Sequence, residues 1–300
     1  MISGVGAGFI SAFWSNGPVR VALAVGGGAA VVCAVVGLST VMRRQSFAGH
    51  ALADISGAGG SAAYLLGINP LLGFIGLAGL AAGVMEMAQV QEARERDLVT
   101  GVVLGAGLGL AALLLYLDVT LRSVSNAAIS ILFGSMFSIA PSIVPTVLAI
   151  AVIALAASVL VFRPLLVSSL SVDMARAQGV NVRTASLVHA LALALAVALA
   201  AITVGAILAT ALLIGPAAAA LQVARKPVSA LVLAVAIGLG ATWGGIVLAY
   251  DSFYWTLGHG WPVSFFIVML IGGAYVLTSV LAHRDVGALT ASPLSGCQER

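Results

Sequence analysis

Nine apolar stretches, each about as long as a bilayer is thick, follow one another along this 300-residue chain. A helix needs about 20 apolar residues to cross the hydrocarbon core. Backbone groups inside lipid must find their partners within the segment, which favours helices over irregular chain. The sequence therefore predicts an all-α polytopic membrane protein with about nine transmembrane helices, near residues 19–41, 47–68, 70–89, 98–117, 142–162, 184–203, 204–222, 228–250 and 262–282.

The composition supports this fold class and excludes others. Hydrophobic residues make up 61% of the chain and charged residues 8%, whereas soluble domains carry roughly 25% charged residues. So little charge also argues against nucleic-acid binding. The segment 126–140 is apolar but too short to span a bilayer, so we expect a re-entrant or interfacial helix there.

The basic residues predict an orientation, because cytoplasmic loops carry an excess of Lys and Arg. With the N-terminus outside, only Arg20 and Arg122 face outward. We therefore expect an external N-terminal segment (1–18), a membrane domain (19–282) and a cytoplasmic tail (283–300). The basic residues on the inner face are then Arg43, Arg44, Arg94, Arg96, Arg163, Arg176, Arg183, Arg225, Lys226, Arg284 and Arg300.

An imidazole and a carboxylate occur four residues apart at the start of the second apolar stretch. His50 and Asp54 would share one face of a helix at this spacing. Such side chains bind zinc or manganese, and ionisable residues in membrane helices often mark an ion path. We predict a transient metal site at His50 and Asp54. The alternative is a hydrogen-bonded pair that holds the helix to a neighbour.

Two further ionisable residues fall inside predicted spans. His189, early in the sixth span, is either another metal ligand nearer the cytoplasm or a core histidine bonded to a backbone carbonyl. Glu86 lies near the inner end of the third span. It could serve as a relay, but a carboxylate that reaches the interface is the favoured interpretation. Asp54 and Glu86 are the only acids predicted to lie within the membrane spans.

The longest predicted inner loop, residues 163–183, contains a short helix at about 171–178. Ser171 can cap it, Asp173 lies in its first turn, and Gly179 can close it. A short capped helix between two spans is suited to contact with a cytoplasmic partner.

Several motifs, taken together in this order, resemble the permease subunit of the metal-type ABC importers (the ABC-3 family), which take up zinc, manganese or iron. The resemblance covers about residues 19–282. One departure concerns the ionisable pair, since the family usually has Asp first and His second. The motifs are Arg43-Arg44-x-Ser46-Phe47-x-Gly49, Leu132-Phe133-Gly134, Asp173-x-x-x-Ala177-x-Gly179-x-x-Val182, Gly205-Ala206-Ile207-Leu208 and Ala211-Leu212-Leu213-Ile214-x-Pro216-Ala217.

This resemblance implies a non-catalytic permease in the cytoplasmic membrane of a prokaryote. Asp173, Ala177 and Gly179 would then belong to the coupling helix. The implied partners are a cytoplasmic ATP-binding subunit and an extracytoplasmic metal-binding protein, and two coupling helices suggest a homodimer. No resident cofactor is expected. The transported ion would be zinc, with manganese or iron as alternatives.

The chain itself lacks the elements that ATP hydrolysis requires. A phosphate-binding loop needs G-x-x-x-x-G-K-[ST], and the one lysine, Lys226, is followed by Pro227. H-E-x-x-H is also missing, which argues against an intramembrane metalloprotease. An ion-coupled secondary transporter remains the less favoured alternative, and it would have to rely on Asp54 or Glu86.

Overall fold

The computed structural model describes residues 13–88, 93–122, 125–255 and 260–290. Regular structure in these ranges is helical throughout. Two short 3-10 turns, Met136–Ser138 and Pro141–Ile143, lie between the fifth and sixth helices. The helices are α1 Gly17–Met42, α2 Ser46–Leu66, α3 Pro70–Met87, α4 Ala93–Arg122, α5 Ser125–Phe133, α6 Val144–Leu170, α7 Val172–Ala177, α8 Val182–Val204, α9 Ala206–Val223, α10 Pro227–Trp255 and α11 Val263–Thr290.

Eight of these helices are long and apolar enough to cross a membrane, namely α1, α3, α4, α6, α8, α9, α10 and α11. Helix α2 has 21 residues but contains His50, Asp54 and several glycines and serines, which lower its hydropathy. It packs most extensively on α3 and α4, and it also contacts α8 and α9. The predicted all-α polytopic fold is confirmed, while the orientation of the termini remains a prediction.

The segment between α4 and α6 forms a short helix, as expected from 126–140. Helix α5 ends at Phe133, and the chain then turns at Gly134, whose φ is 76°. This turn packs on the α8–α9 junction, where Gly205 has a φ of 95°. A Cβ at Gly134 would lie 2.5 Å from the Thr203 carbonyl oxygen. Both positions therefore require glycine, because φ is positive and the neighbouring backbone leaves no room for a Cβ.

The predicted helix in the loop before α8 is confirmed as α7. The Ser171 side chain accepts a hydrogen bond from the Met174 amide at 3.2 Å, which caps the helix. Gly179 follows with a φ of 76°, which reverses the chain toward α8. Ala175 is fully buried, so one side of α7 is held against the bundle.

Four helices extend at least five residues beyond their predicted ends. Helix α4 continues past residue 117 to Arg122, α6 past residue 162 to Leu170, α10 past residue 250 to Trp255, and α11 past Ala282 to Thr290. At one end of the bundle, α1 and α3 finish where α8 begins. Arg43, Glu86 and Ser186 are joined by hydrogen bonds there. We call this end of the molecule, which also carries α7, the basic end.

Candidate functional site

His50 and Asp54 lie one helical turn apart near the start of α2. His50 Nε2 and Asp54 Oδ2 are 3.7 Å apart. The His50 side chain is 45% exposed and the Asp54 side chain 10% exposed in the single chain. Two ligands that share a zinc ion at about 2.0–2.2 Å each are separated by about 3–4 Å. The pair therefore has the spacing of two metal ligands with one side open.

Thr210 on α9 holds the other ring nitrogen of His50. His50 Nδ1 and Thr210 Oγ1 are 3.1 Å apart. When Nδ1 carries the proton and donates to this hydroxyl, Nε2 keeps a lone pair directed toward Asp54. Partners of this kind fix the ring of a metal-binding histidine. Thr210 is a site residue that the sequence prediction missed.

Small residues on α2 bring α9 close enough for this contact. A Cβ at Gly49 would lie 2.9 Å from Leu213 Cδ2, and one at Gly57 would lie 2.8 Å from the Cβ of Ala206. Close approach through small residues is typical of membrane helix packing. Thr210 lies between Ala206 and Leu213 on α9, so this packing places its hydroxyl at His50.

A second polar group lies at the basic end, and we call it the inner cluster: Arg43, Glu86, Ser186 and His189. Arg43 Nη2 donates to Ser186 Oγ at 3.4 Å, and that hydroxyl donates to Glu86 Oε2 at 3.1 Å. His189 is one turn from Ser186 on α8 and is 2% exposed. Within the described part of the chain, neither of its ring nitrogens has a hydrogen-bond partner.

The structure thus separates the three predicted metal ligands into two places. His50 and Asp54 are together, whereas His189 belongs to the inner cluster. Across the described ranges, His, Cys, Asp and Glu side chains form no group of three or more that could hold a metal ion. A closed structural site with four protein ligands is therefore not formed by the described residues of a single chain.

One intramembrane acid was missed. Asp118 on α4 is 1% exposed, and it accepts a hydrogen bond from the Ser61 hydroxyl on α2. The prediction that Asp54 and Glu86 are the intramembrane acids was wrong, because α4 continues beyond residue 117 and takes Asp118 into the helix packing. Ser61 lies two turns from Asp54 along α2.

The predicted coupling residues lie at the surface. Asp173 and Ala177 on α7 are exposed, as is Gly179 after it. Neighbouring Met174 is 54% exposed although it is apolar. This surface is therefore accessible to a partner protein at the basic end.

A bundle of apolar helices around one helix that bears an ionisable pair defines a polytopic membrane transport protein. The sequence profile described as "ABC 3 transport family" matches residues 18–281. The chain belongs to this family, whose members here are permeases of metal ABC transporters, transport components rather than catalytic enzymes. It is a multi-pass protein of the plasma membrane.

Relatives named for two different metals match the chain. It is 31% identical to the manganese transport system membrane protein MntC of Listeria monocytogenes, over 77% of this chain and 80% of the relative. It is 26% identical to the high-affinity zinc uptake system membrane protein ZnuB of Haemophilus influenzae, over 74% of this chain and 85% of that protein. The comparisons therefore do not favour zinc over manganese.

The fold also matches a solved structure, PsaBC from Streptococcus pneumoniae in complex with Fab. The TM-score is 0.75 at 23% sequence identity, covering 91% of this chain and 94% of that chain. The predicted resemblance to metal-type ABC permeases is confirmed.

Proposed function

We propose that this chain is the permease subunit of an ATP-driven importer of a divalent metal ion, with zinc or manganese as the cargo. The observation that carries the proposal is the His50–Asp54 pair, 3.7 Å apart on a buried helix and open on one side. Zinc remains the sequence-based expectation. Relatives named for zinc and for manganese both match the chain, so the choice of metal needs measurement.

The pair suits brief binding rather than storage. One imidazole and one carboxylate leave coordination positions for water, so the ion can exchange ligands and leave. Transport requires sites that bind well enough for entry and weakly enough for exit. Ligand type alone favours zinc over manganese in affinity, but availability and geometry decide which ion is carried.

The basic end is proposed to face the cytoplasm, following the excess of Lys and Arg in its loops. There α7 would meet a separate ATP-binding subunit through Asp173, Ala177 and Gly179, which are exposed. A metal-binding protein would deliver the ion at the opposite end. Two copies of the chain would form the transporter, because a pair of ATP-binding subunits needs two coupling helices.

The proposed mechanism is alternating access. Closure of the ATP-binding subunits displaces α7, which is joined directly to α6 and lies just before α8. Helix α8 contacts α1, α2, α3 and α9, so its displacement reaches the helices that carry His50 and Thr210. His50 and Asp54 hold the ion while the path changes the side to which it opens, and His189 serves as a later ligand.

The test is uptake of radioactive zinc and manganese in cells that depend on this permease. A His50→Ala, Asp54→Ala double variant is expected to lose uptake at an unchanged level of membrane protein. His283→Ala is a matched control, because this histidine lies near the end of α11, where its ring contacts the Ser279 carbonyl. Wild-type uptake by the double variant would overturn the proposed site, and the ion lost identifies the cargo.

A further inference from the structure

The inner cluster repeats the ligand chemistry of the His50–Asp54 pair at the basic end. It contains one imidazole, His189, and one carboxylate, Glu86, supported by the Ser186 hydroxyl. A protein cation is also present, because Arg43 donates to Ser186. The Arg43 guanidinium also acts electrostatically on the His189 ring. An arginine therefore shares this cluster with a carboxylate and an imidazole.

His189 is the feature that an ordinary packing role leaves unexplained. Buried polar side chains in native proteins nearly always have partners. His189 is 2% exposed, and neither ring nitrogen has a partner among the residues that the structure describes. The nearby Arg43 guanidinium donates to Ser186 on the same helix and not to the His189 ring. A neutral imidazole with a free lone pair is the form that binds metal ions.

The cluster lies on the basic-end side of the His50–Asp54 pair. A Cβ at Gly49, next to His50, would lie 3.9 Å from Leu193 Cδ1 on α8. His189 is one turn before Leu193, about 6 Å nearer the basic end. Along the bundle axis, His189 therefore lies about one helical turn from Gly49, toward the basic end.

Arg43 is placed so that its position depends on the helix that carries the pair. Residues 43–45 alone separate α1 from α2, and Arg44 within this turn has a φ of 55°. The Gln45 amide donates to the Thr40 carbonyl, which makes the turn tight. Arg43 also lines a small pocket between α1 and α6 with Phe162 and Ser169.

We propose that the inner cluster is a second transient binding site, or station, for the transported divalent ion, and that Arg43 blocks it. With Arg43 on Ser186, the guanidinium takes the place of the cargo beside Glu86. A movement of α2 against α1 withdraws Arg43, and the ion then binds to Glu86 and His189 before release. This inference rests on the proposed function for the identity of the ion, but it assigns the station and its gate to residues outside the His50–Asp54 pair.

The test measures zinc binding by the full-length chain purified in detergent, with any affinity tag removed. The starting protein carries His50→Ala and Asp54→Ala, which removes the first pair. Adding Arg43→Gln is expected to tighten zinc binding by about tenfold or more, the size of effect seen for groups around a metal site. A further Glu86→Gln or His189→Ala is expected to abolish that gain.

Two matched variants separate the gate from general loosening of the fold. Arg44→Gln removes a neighbouring, exposed arginine and is expected to leave zinc binding unchanged. Ser186→Ala cuts the link between Arg43 and Glu86 without changing charge, and it is expected to give a smaller gain of the same kind. It also serves as the second test if Arg43→Gln does not fold.

No gain in zinc binding by folded Arg43→Gln or Ser186→Ala protein would overturn the inner station. A gain that survives loss of both Glu86 and His189 would overturn it as well. Failure of the proposed function would show elsewhere, as wild-type metal uptake in cells by the His50→Ala, Asp54→Ala variant. The two failures are therefore distinguishable.

Discussion

The His50–Asp54 pair and the inner cluster combine the same two ligand types in opposite settings. In the pair, His50 is half exposed and the two ligands face each other at 3.7 Å, with Thr210 behind the ring. In the inner cluster, His189 is buried and Glu86 is bonded through Ser186 to an arginine. One set is open to an ion, and the other already holds a positive charge. Ligand identity alone therefore does not define a working site, because access and competing charge matter equally.

The largest effect is expected when the carboxylate of the open pair is neutralised. Asp54→Asn should lower metal uptake by about 100-fold, the upper range for changes around a metal site. Glu86→Gln should cost about tenfold or less, because it removes a station that the ion meets later. Uptake of radioactive zinc and manganese in cells, normalised to membrane protein, measures both. Equal losses of uptake in the two variants would show that the His50–Asp54 pair and the inner cluster matter equally for transport.

A third carboxylate among the helices, the buried Asp118, provides a structural baseline. Ser61→Ala removes the donor to Asp118, so a buried acceptor loses its partner at a cost of about 1–3 kcal/mol in stability. Uptake per folded molecule should stay near wild type, because Asp118 is assigned no role in binding. Thermal unfolding in detergent measures the first effect and uptake the second. A selective loss of uptake without loss of stability would place Asp118 on the ion path.

Removal of the hydroxyl behind His50 should have an intermediate effect. Thr210→Val keeps the shape of the side chain but leaves the His50 ring less firmly oriented, so metal affinity should fall by about tenfold. Thr203→Val is the control, since its hydroxyl donates within its own helix, to the Leu199 carbonyl. Titration of the purified chain with zinc distinguishes them. Equal affinities for the two variants would show that Thr210 does not orient the ring.

The smallest effect concerns α7, which is expected to transmit energy without holding the ion. Ser171→Ala removes the cap of this short helix, at a cost of about 1 kcal/mol. ATP hydrolysis by the assembled transporter should respond less to cargo, whereas zinc affinity should not change. Ser169→Ala is the control, because that exposed hydroxyl bonds to the Leu166 carbonyl in α6. A change in zinc affinity would show that α7 also shapes the binding site.

The sequence predicted those features that depend on local spacing. The helical period placed His50 and Asp54 on one face, and cap residues located α7 correctly. It did not predict Thr210, the bond from Arg43 to Ser186 or the burial of Asp118. These depend on the register between helices, which close contacts such as Gly49 with Leu213 determine. One clue was available, because Thr210 is the one polar side chain within 206–217.

The modest hydropathy of α2 has a consequence for biosynthesis. Helix α2 is not among the eight helices apolar enough to cross a membrane by that measure, and an aspartate at a helix centre opposes membrane insertion by about 2.5–3.5 kcal/mol. As the chain leaves the ribosome, α2 therefore depends on the apolar helices α1 and α3 on either side of it to enter the bilayer. Its glycines then let those neighbours and α4 close around it. Substitutions that make α2 more apolar should ease its entry while removing the groups that handle the ion.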